Sequence, residues 1–237
     1  MGRPTRVALG EIVYHVLNRA NGRQTIFTHA ADYEAFEQVL AEAVQRVAMR
    51  VLAYCVMPNH WHLVLWPRAN GDLSRCVGWL TLTHTQRWHA HHHTTGTGHL
   101  YQGRFKSFPL QTDAHVLTVC RYVERNPVRA GLVPRAECWR WGSLWQREQR
   151  HAAAQGMLSP WPVDQPEAWV QWVNEPLPHE ELQTLRRCVN RGQPFGQAAW
   201  QEQTAAQLGL ASTFRPRGRP RKKLSHGASP HDETNGT

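Results

Sequence analysis

Along the first two thirds of the chain the spacing of apolar residues changes repeatedly, and each change marks an element. From Glu11 to Asn18 the pattern alternates, with Ile12, Tyr14, Val16 and Asn18 on one side, which predicts a strand. Asn21-Gly22 follows as a turn signal. Between Ala30 and Val47, the residues Tyr33, Phe36, Leu40, Val44 and Val47 recur at helical spacing. Arg50 to Met57 and Trp61 to Pro67 are two β-rich runs broken by Pro58-Asn59. Leu73, Cys76, Val77, Leu80 and Trp88 predict a second helix, and the polar stretch His91 to Gly98 predicts a loop. Gly103 to Gln111 reads as a short strand, and Ala114 to Arg125 as a third helix stopped by Pro127. The order β-α-β-β-α-β-α predicts an α+β fold: a ferredoxin-like antiparallel sheet with helices on one face, plus one further helix.

After Pro134 the texture changes. Trp139, Trp141 and Trp145 cluster around Gly142-Ser143 and read as packing at a sheet edge. His151 to Asp164 is rich in Ala, Gln and Pro, and two short amphipathic helices follow, Glu180 to Val189 and Gly196 to Leu208. From Ser212 to Thr237 periodicity disappears, as do the large aliphatics apart from Leu224, so this stretch reads as disordered. The chain therefore divides into a domain over residues 1–150, a mostly helical extension over 151–211 with DNA contact as its candidate role, and a disordered basic tail over 212–237.

Charge sharpens this picture. The 237 residues hold 27 Lys+Arg against 18 Asp+Glu, a formal +9, with a sequence pI near 9.9. That balance points to a polyanionic partner, most simply nucleic acid. Six basic residues between Arg215 and Lys223, set against Asp232 and Glu233, account for about half of the excess. No apolar run reaches the roughly 18 residues of a membrane span, and Met1 to Thr5 lead into no apolar segment of a secretory signal. The five cysteines are widely spaced and form no CxxC pair, which fits a reducing cytoplasm rather than a disulfide scaffold. The expected location is cytoplasmic, with the nucleoid.

Two features carry chemistry. The first is His60-Trp61-His62 within Met57-Pro58-Asn59-His60-Trp61-His62. On a strand, residues two apart point to one face, so both imidazoles project side by side and can chelate one cation. Hydrogen-bonded core histidines would give the same pattern. The second is Arg121-Tyr122-Val123-Glu124-Arg125-Asn126-Pro127. On this helix Val116, Leu117, Val119, Cys120 and Val123 form the apolar face, Tyr122 lies away from it, and Asn126 sits one turn beyond Tyr122. A tyrosine so placed can be a surface residue or a nucleophile. Together the features form a working set. His60, His62 and the amide oxygen of Asn126 could hold a divalent cation, and Tyr122 could attack a phosphate polarised by it.

At these residues the chain resembles a known family. HxH is the signature of the HUH single-strand endonucleases, and the HxH with a later single Tyr-x-x-x-Asn-Pro, Tyr122 to Pro127, resembles the single-tyrosine transposases. Leu17-Asn18-Arg19, Tyr101-Gln102-Gly103-Arg104-Phe105-Lys106-Ser107 and Arg121 to Leu132 bring it closer to the REP-associated tyrosine transposases. The resemblance spans about residues 8–150. It implies a ferredoxin-like fold with a catalytic helix, Mg²⁺ or Mn²⁺, and cleavage and rejoining of single-stranded or hairpin-forming DNA. The tyrosine becomes joined to the 5′ phosphate and a 3′ hydroxyl is freed. Carried over, His60 and His62 match the metal pair, Asn126 the weaker third ligand and Tyr122 the nucleophile. The segment Tyr101 to Lys106 could lie along a DNA strand, with Arg104 and Lys106 on phosphates, Tyr101 under a base and Arg19 beside them. The hundred-odd residues beyond the catalytic helix depart from minimal transposases and suit the chromosomal, palindrome-associated branch.

Other features have plainer readings. Tyr54 lies in an apolar strand and reads as core. His89, His91, His92 and His93 look like a metal tract, yet have no carboxylate or cysteine nearby in sequence, which favours a solvated loop. Arg217-Gly218-Arg219-Pro220-Arg221-Lys222 resembles an AT-hook core, slim enough for a narrow minor groove, and equally reads as an unspecific basic tail. Three functions remain open: a metal-dependent strand transferase, a non-catalytic hairpin-binding derivative, and a phosphoesterase using water. Monomer and homodimer are both compatible with the chain.

Overall fold

A computed structural model describes residues 7–149 and 157–215. Four strands form one antiparallel sheet: β1 (Val13–Arg19), β2 (Arg50–Met57), β3 (His60–Trp66) and β4 (Lys106–Leu110), in the order β2-β3-β1-β4. Pro58-Asn59 closes the β2–β3 hairpin, and the Pro58 carbonyl accepts from the backbone N–H groups of Ile26 and Phe27. β3 is thus an inner strand, as apolar flanks on both its faces require.

Two helices, α1 (Ala30–Val47) and α2 (Asp72–His91), cover one face of the sheet. Tyr14, Val16, Tyr54, Val56, Trp61, Leu63 and Leu65 meet Phe36, Leu40, Leu73, Val77 and Leu80 there. The periodicity of both helices foretold this layer. α2 runs on through His91, so the segment predicted as a loop begins one residue later.

The opposite face is covered by α3 (Ala114–Glu124) and by the chain beyond it. Val13, Leu52, Ala53, Cys55, Met57, Val64 and Phe108 pack with Val116, Val119, Cys120 and Val123 of α3. Leu52 and Ala53 share this side because a register shift between Val51 and Ala53 bulges β2. Pro127 does not halt the helical path: Arg125 stays in the right-handed helical region and a short α4 (Asn126–Arg129) starts, with the proline in its first turn, where no N–H is needed.

Three further helices join this second layer: α5 (Ser143–Glu148), α6 (Trp169–Asn174) and α7 (His179–Arg191), followed by α8 (Ala198–Gln207). Trp169, Val173, Leu185, Cys188 and Phe195 belong to the α3-side core. Arg121 and Arg125 of α3 donate to the carbonyls at the C-terminal end of α6, from Val173 to Pro176, which would otherwise lack partners. α7 ends on Gly192 in the left-handed region, φ 74°.

The same segments shield both sheet edges. Along β2, the Val56 N–H donates to the Trp141 carbonyl and the Ser159 N–H to the Val51 carbonyl. Along β4, the Phe195 N–H donates to the Pro109 carbonyl, and the Phe195 carbonyl accepts from Gln111 N–H. Unpaired edges invite aggregation, so this cover has a clear physical value. Trp139 and Trp141 serve the β2 edge, with Trp141 stacked on Tyr33 at 4.7 Å. Ala211–Phe214 close a 3-10 turn, so the first residues of the expected tail are ordered against α7 through Arg191 and Gln193. The AT-hook-like residues Arg217, Arg219 and Arg221 lie outside the described residues. Among the described residues no helix is long and apolar enough to cross a membrane.

Candidate active site

β3 presents His60 and His62 on the α3 side of the sheet, their rings 5.0 Å apart. Trp61 points the opposite way, fully buried, and its Nε1–H donates to the Tyr101 hydroxyl at 2.9 Å. β1 lies alongside β3 in register, Arg19 opposite His60 and Leu17 opposite His62. The same side of β1 brings up a residue that sequence reasoning passed over, His15. Its Nε2 sits 2.9 Å from Nδ1 of His62.

α3 delivers Tyr122. Asp113 caps the helix, its carboxylate accepting from the His115 N–H, and the apolar face docks on the sheet. Tyr122, expected away from that face, is only 5% exposed and belongs to the same buried cluster, because its ring turns toward the histidines of the sheet. Its ring stands edge-on to His62, centroids 5.9 Å apart, and 6.3 Å from His15. Tyr122, His60 and His62 therefore meet at one place. Arg129 of α4 lies over the Tyr122 ring, its guanidinium carbon 5.4 Å from the centroid. Arg129 stands in the Arg121–Leu132 segment that the resemblance singled out, where no role had been attached to it.

Asn126 is fully buried beneath this group. Its amide nitrogen donates to the Tyr122 and Val123 carbonyls, and its oxygen accepts from Arg129. The third ligand expected from the sequence thus has its oxygen on a guanidinium in this arrangement.

Electrostatics keep the histidines neutral. Burial, together with Arg19 and Arg129, pushes His60 down to about 4. Burial first, then His60, His15 and the two arginines, pushes His62 well below its usual range. Burial alone takes His15 down to about 3. A neutral imidazole is the form that binds metal. His60 Nδ1 faces the Asn59 side-chain oxygen at 2.6 Å and His62 Nδ1 faces His15, which leaves Nε2 on each ring as the nitrogen that could hold a cation. The donor set, two neutral imidazoles on one face, fits a divalent cation.

Arg19, Arg104 and Lys106 line one groove with Asn18, Gln102 and Asn190, the last from α7. The groove starts beside His60, since Arg19 is its register partner. Tyr101 is absent from it. Its ring is 6% exposed and its hydroxyl is shared by Trp61 and by His84 Nδ1 at 2.8 Å. The expected stacking platform is a core residue on the opposite side of the sheet, tied to Trp61 through its hydroxyl and to Ala20 by a single β-bridge.

A family model described as IS200-like transposase matches residues 8–126, half of the chain. The chain belongs to the IS200-like transposases. No curated protein matches it. Among solved structures it is similar to a REP-associated tyrosine transposase bound to a REP hairpin, with 17% identity, 70% of this chain and 94% of that one covered, and a TM-score of 0.51. It is also similar to a putative transposase from Deinococcus radiodurans R1, with 16% identity over 52% of this chain and 96% of that one, and a TM-score of 0.35. At 17% identity the first match concerns the fold: the antiparallel sheet with its helices is that of a known transposase.

Proposed function

We propose that this transposase-family protein cleaves and rejoins hairpin-forming single-stranded DNA through a covalent 5′-phosphotyrosine at Tyr122. The observation that carries this reading is the edge-on meeting of the Tyr122 ring with His62, next to His60. In the cleaving step the Tyr122 oxygen attacks the scissile phosphorus. The new oxygen–phosphorus bond replaces the bond to the 3′ oxygen, and the phenolic proton ends on that oxygen as a free 3′ hydroxyl. Rejoining is the reverse: a 3′ hydroxyl attacks the phosphotyrosine and its proton returns to Tyr122. A divalent cation, Mg²⁺ or Mn²⁺, held by His60 and His62 would supply Lewis-acid polarisation of the phosphate.

The chain's own residues do the rest. Arg129, close to the phenol ring, stabilises negative charge gathering on the attacking oxygen and the phosphate. The amide oxygen of Asn126, which here accepts from Arg129, would be the third group to hold the cation, and Arg129 would then be free to face the phosphate. Arg19, Arg104 and Lys106 neutralise the backbone of a strand lying in their groove, and Asn190 lets α7 share in that contact. The REP hairpin held by the similar transposase supports a hairpin as the substrate class. Arg217, Arg219 and Arg221 add salt-dependent affinity for DNA. Such a protein would reside in the cytoplasm with the nucleoid, as a monomer or a homodimer.

The test is a denaturing-gel adduct assay with labelled hairpin DNA from the flank of its own gene, in Mg²⁺ or Mn²⁺. Wild-type protein should trap label, and Tyr122→Phe and His60→Ala should not. Retarded DNA without cutting would support the non-catalytic hairpin binder instead, and cutting by Tyr122→Phe would move the chemistry to water.

A further inference from the structure

The histidine tract at the end of α2 acquires in three dimensions the partner it lacks in sequence. α2 carries His91 as its last residue and His92 as its cap, and this end faces the first turn of α1, where Asp32 sits. His92 Nε2 is 3.0 Å from Asp32 Oδ1, and a ligand atom of His91 lies within 4.8 Å of both. Among the described residues this is the one group of three His, Cys, Asp or Glu close enough to share an ion. It stands apart from His60 and His62, in the α1–α2 layer on the other side of the sheet.

We propose that Asp32, His91 and His92 form a second metal site, taking a borderline transition-metal dication of the Zn²⁺ class. Two imidazoles and a carboxylate are a zinc-type donor set, with a water or a fourth side chain completing the tetrahedron. Two ligands at about 2.0–2.2 Å from one ion lie roughly 3 Å or slightly more from each other, so the His92–Asp32 gap already has ligand spacing. His91 is exposed and already holds a ring nitrogen within 4.8 Å of the other two ligand atoms.

The surroundings hold the ligands ready. Asp32 is buried, and its second oxygen accepts from the Thr28 N–H, the Thr28 hydroxyl and the His29 N–H. Those bonds aim the first oxygen at His92, the kind of outer support that metal ligands ordinarily have. The His92 ring stacks on Trp88 at 4.2 Å, and Trp88 is itself fixed by donating to the Ile26 carbonyl. The ligands line one open cavity with His84 and Trp88. Arg87, also at its wall, is held bidentately by Glu42, so its charge is compensated. Finally, the C-terminal end of a helix is the negative end of its dipole and favours a cation. An ion here would clamp the start of α1 to the end of α2, and with it the segment leading to the basic groove.

The test uses full-length protein carrying His60→Ala and His62→Ala, which removes the other candidate site. Calorimetric titration with Zn²⁺ should find one tight ion per chain, and Zn²⁺ should raise the melting temperature. Adding His91→Ala or His92→Gln should weaken binding by about tenfold or more and abolish the thermal shift. Asp32→Asn should do the same. If that variant fails to fold because Asp32 also caps α1, exposed His91 carries the decision. Absence of tight Zn²⁺ in the His60/His62 background, or binding indifferent to His91→Ala and His92→Gln, as scattered surface histidines such as His93 and His99 would give, overturns the proposal.

Discussion

His15 has no place in a motif, yet it determines which nitrogen His62 can offer. If His62 ligates through Nε2, its proton stays on Nδ1 and is donated to His15 Nε2. The His15 proton must then sit on Nδ1, which is buried without a partner. The opposite tautomer satisfies His15 equally well but places the His62 proton on the ligating nitrogen. Metal occupancy therefore selects one tautomer of a buried pair. His15→Leu keeps the packing against Phe108 and removes the acceptor. Mn²⁺ affinity at His60–His62, measured by calorimetry, should fall roughly 10- to 100-fold. Unchanged affinity would show that His15 is only a core residue. Two other tyrosines near the sheet are already engaged: Tyr54 donates to Glu37 at 2.6 Å and is fully buried, and the Tyr101 hydroxyl is held by Trp61 and His84.

At the scale of elements, α3 is held from both sides, and Glu124 is the pin. Its carboxylate accepts from the Ser143 hydroxyl at 2.6 Å, the Trp169 indole N–H at 2.7 Å and the Arg147 guanidinium at 3.1 Å. One fully buried side chain thus ties the helix that bears Tyr122 to α5 and α6. Burial pushes the Glu124 carboxyl above its usual range, and Arg147, Ser143 and Trp169 oppose that. Glu124→Ala leaves three donors, one of them a guanidinium, without this acceptor, so chemical denaturation should report a loss of about 3–5 kcal/mol. Glu124→Gln, which keeps an acceptor, should lose clearly less; equal losses would mean that packing volume and not the acceptor matters. This role was illegible in sequence, because Ser143, Arg147 and Trp169 are 19, 23 and 45 residues away. The helix period showed which side of α3 meets the sheet and left open what covers its other side. Arg121 and Arg125, on either side of Tyr122 in sequence, illustrate the consequence: they turn to that other side and cap α6.

For the whole molecule, the legible part was whatever local period decides: the four strands, α1, α2 and α3, and the projection of His60 and His62 from one common face of β3. The short α5 and α6 escaped because six residues hold too little of a helical period to be read. The burial of Tyr101 was not legible because the partners of its hydroxyl, Trp61 and His84, stand 40 and 17 residues away. The carboxylate partner of the histidine tract escaped because it stands 60 residues away. The two-sided burial also predicts how stability responds to pH. His15 and His84 are both pushed by burial to about 3, well below their ordinary range. Near neutral pH neither state binds the extra proton. Below about pH 6.5 the unfolded chain takes it and the folded chain does not, so each histidine removes about 1.4 kcal/mol per pH unit until its folded value is reached. In chelator, the melting temperature should fall on the order of 10 °C from pH 7 to pH 5. A flat profile would mean that these rings are not buried as neutral imidazoles. The most direct check of the central claim is mass spectrometry of the protein–DNA adduct after protease and nuclease digestion. The adduct mass should map to the peptide containing Tyr122, as a 5′-phosphotyrosyl nucleotide, with a free 3′ hydroxyl on the released strand. A nucleotide on another residue, or cleaved DNA with no linked peptide, would contradict it.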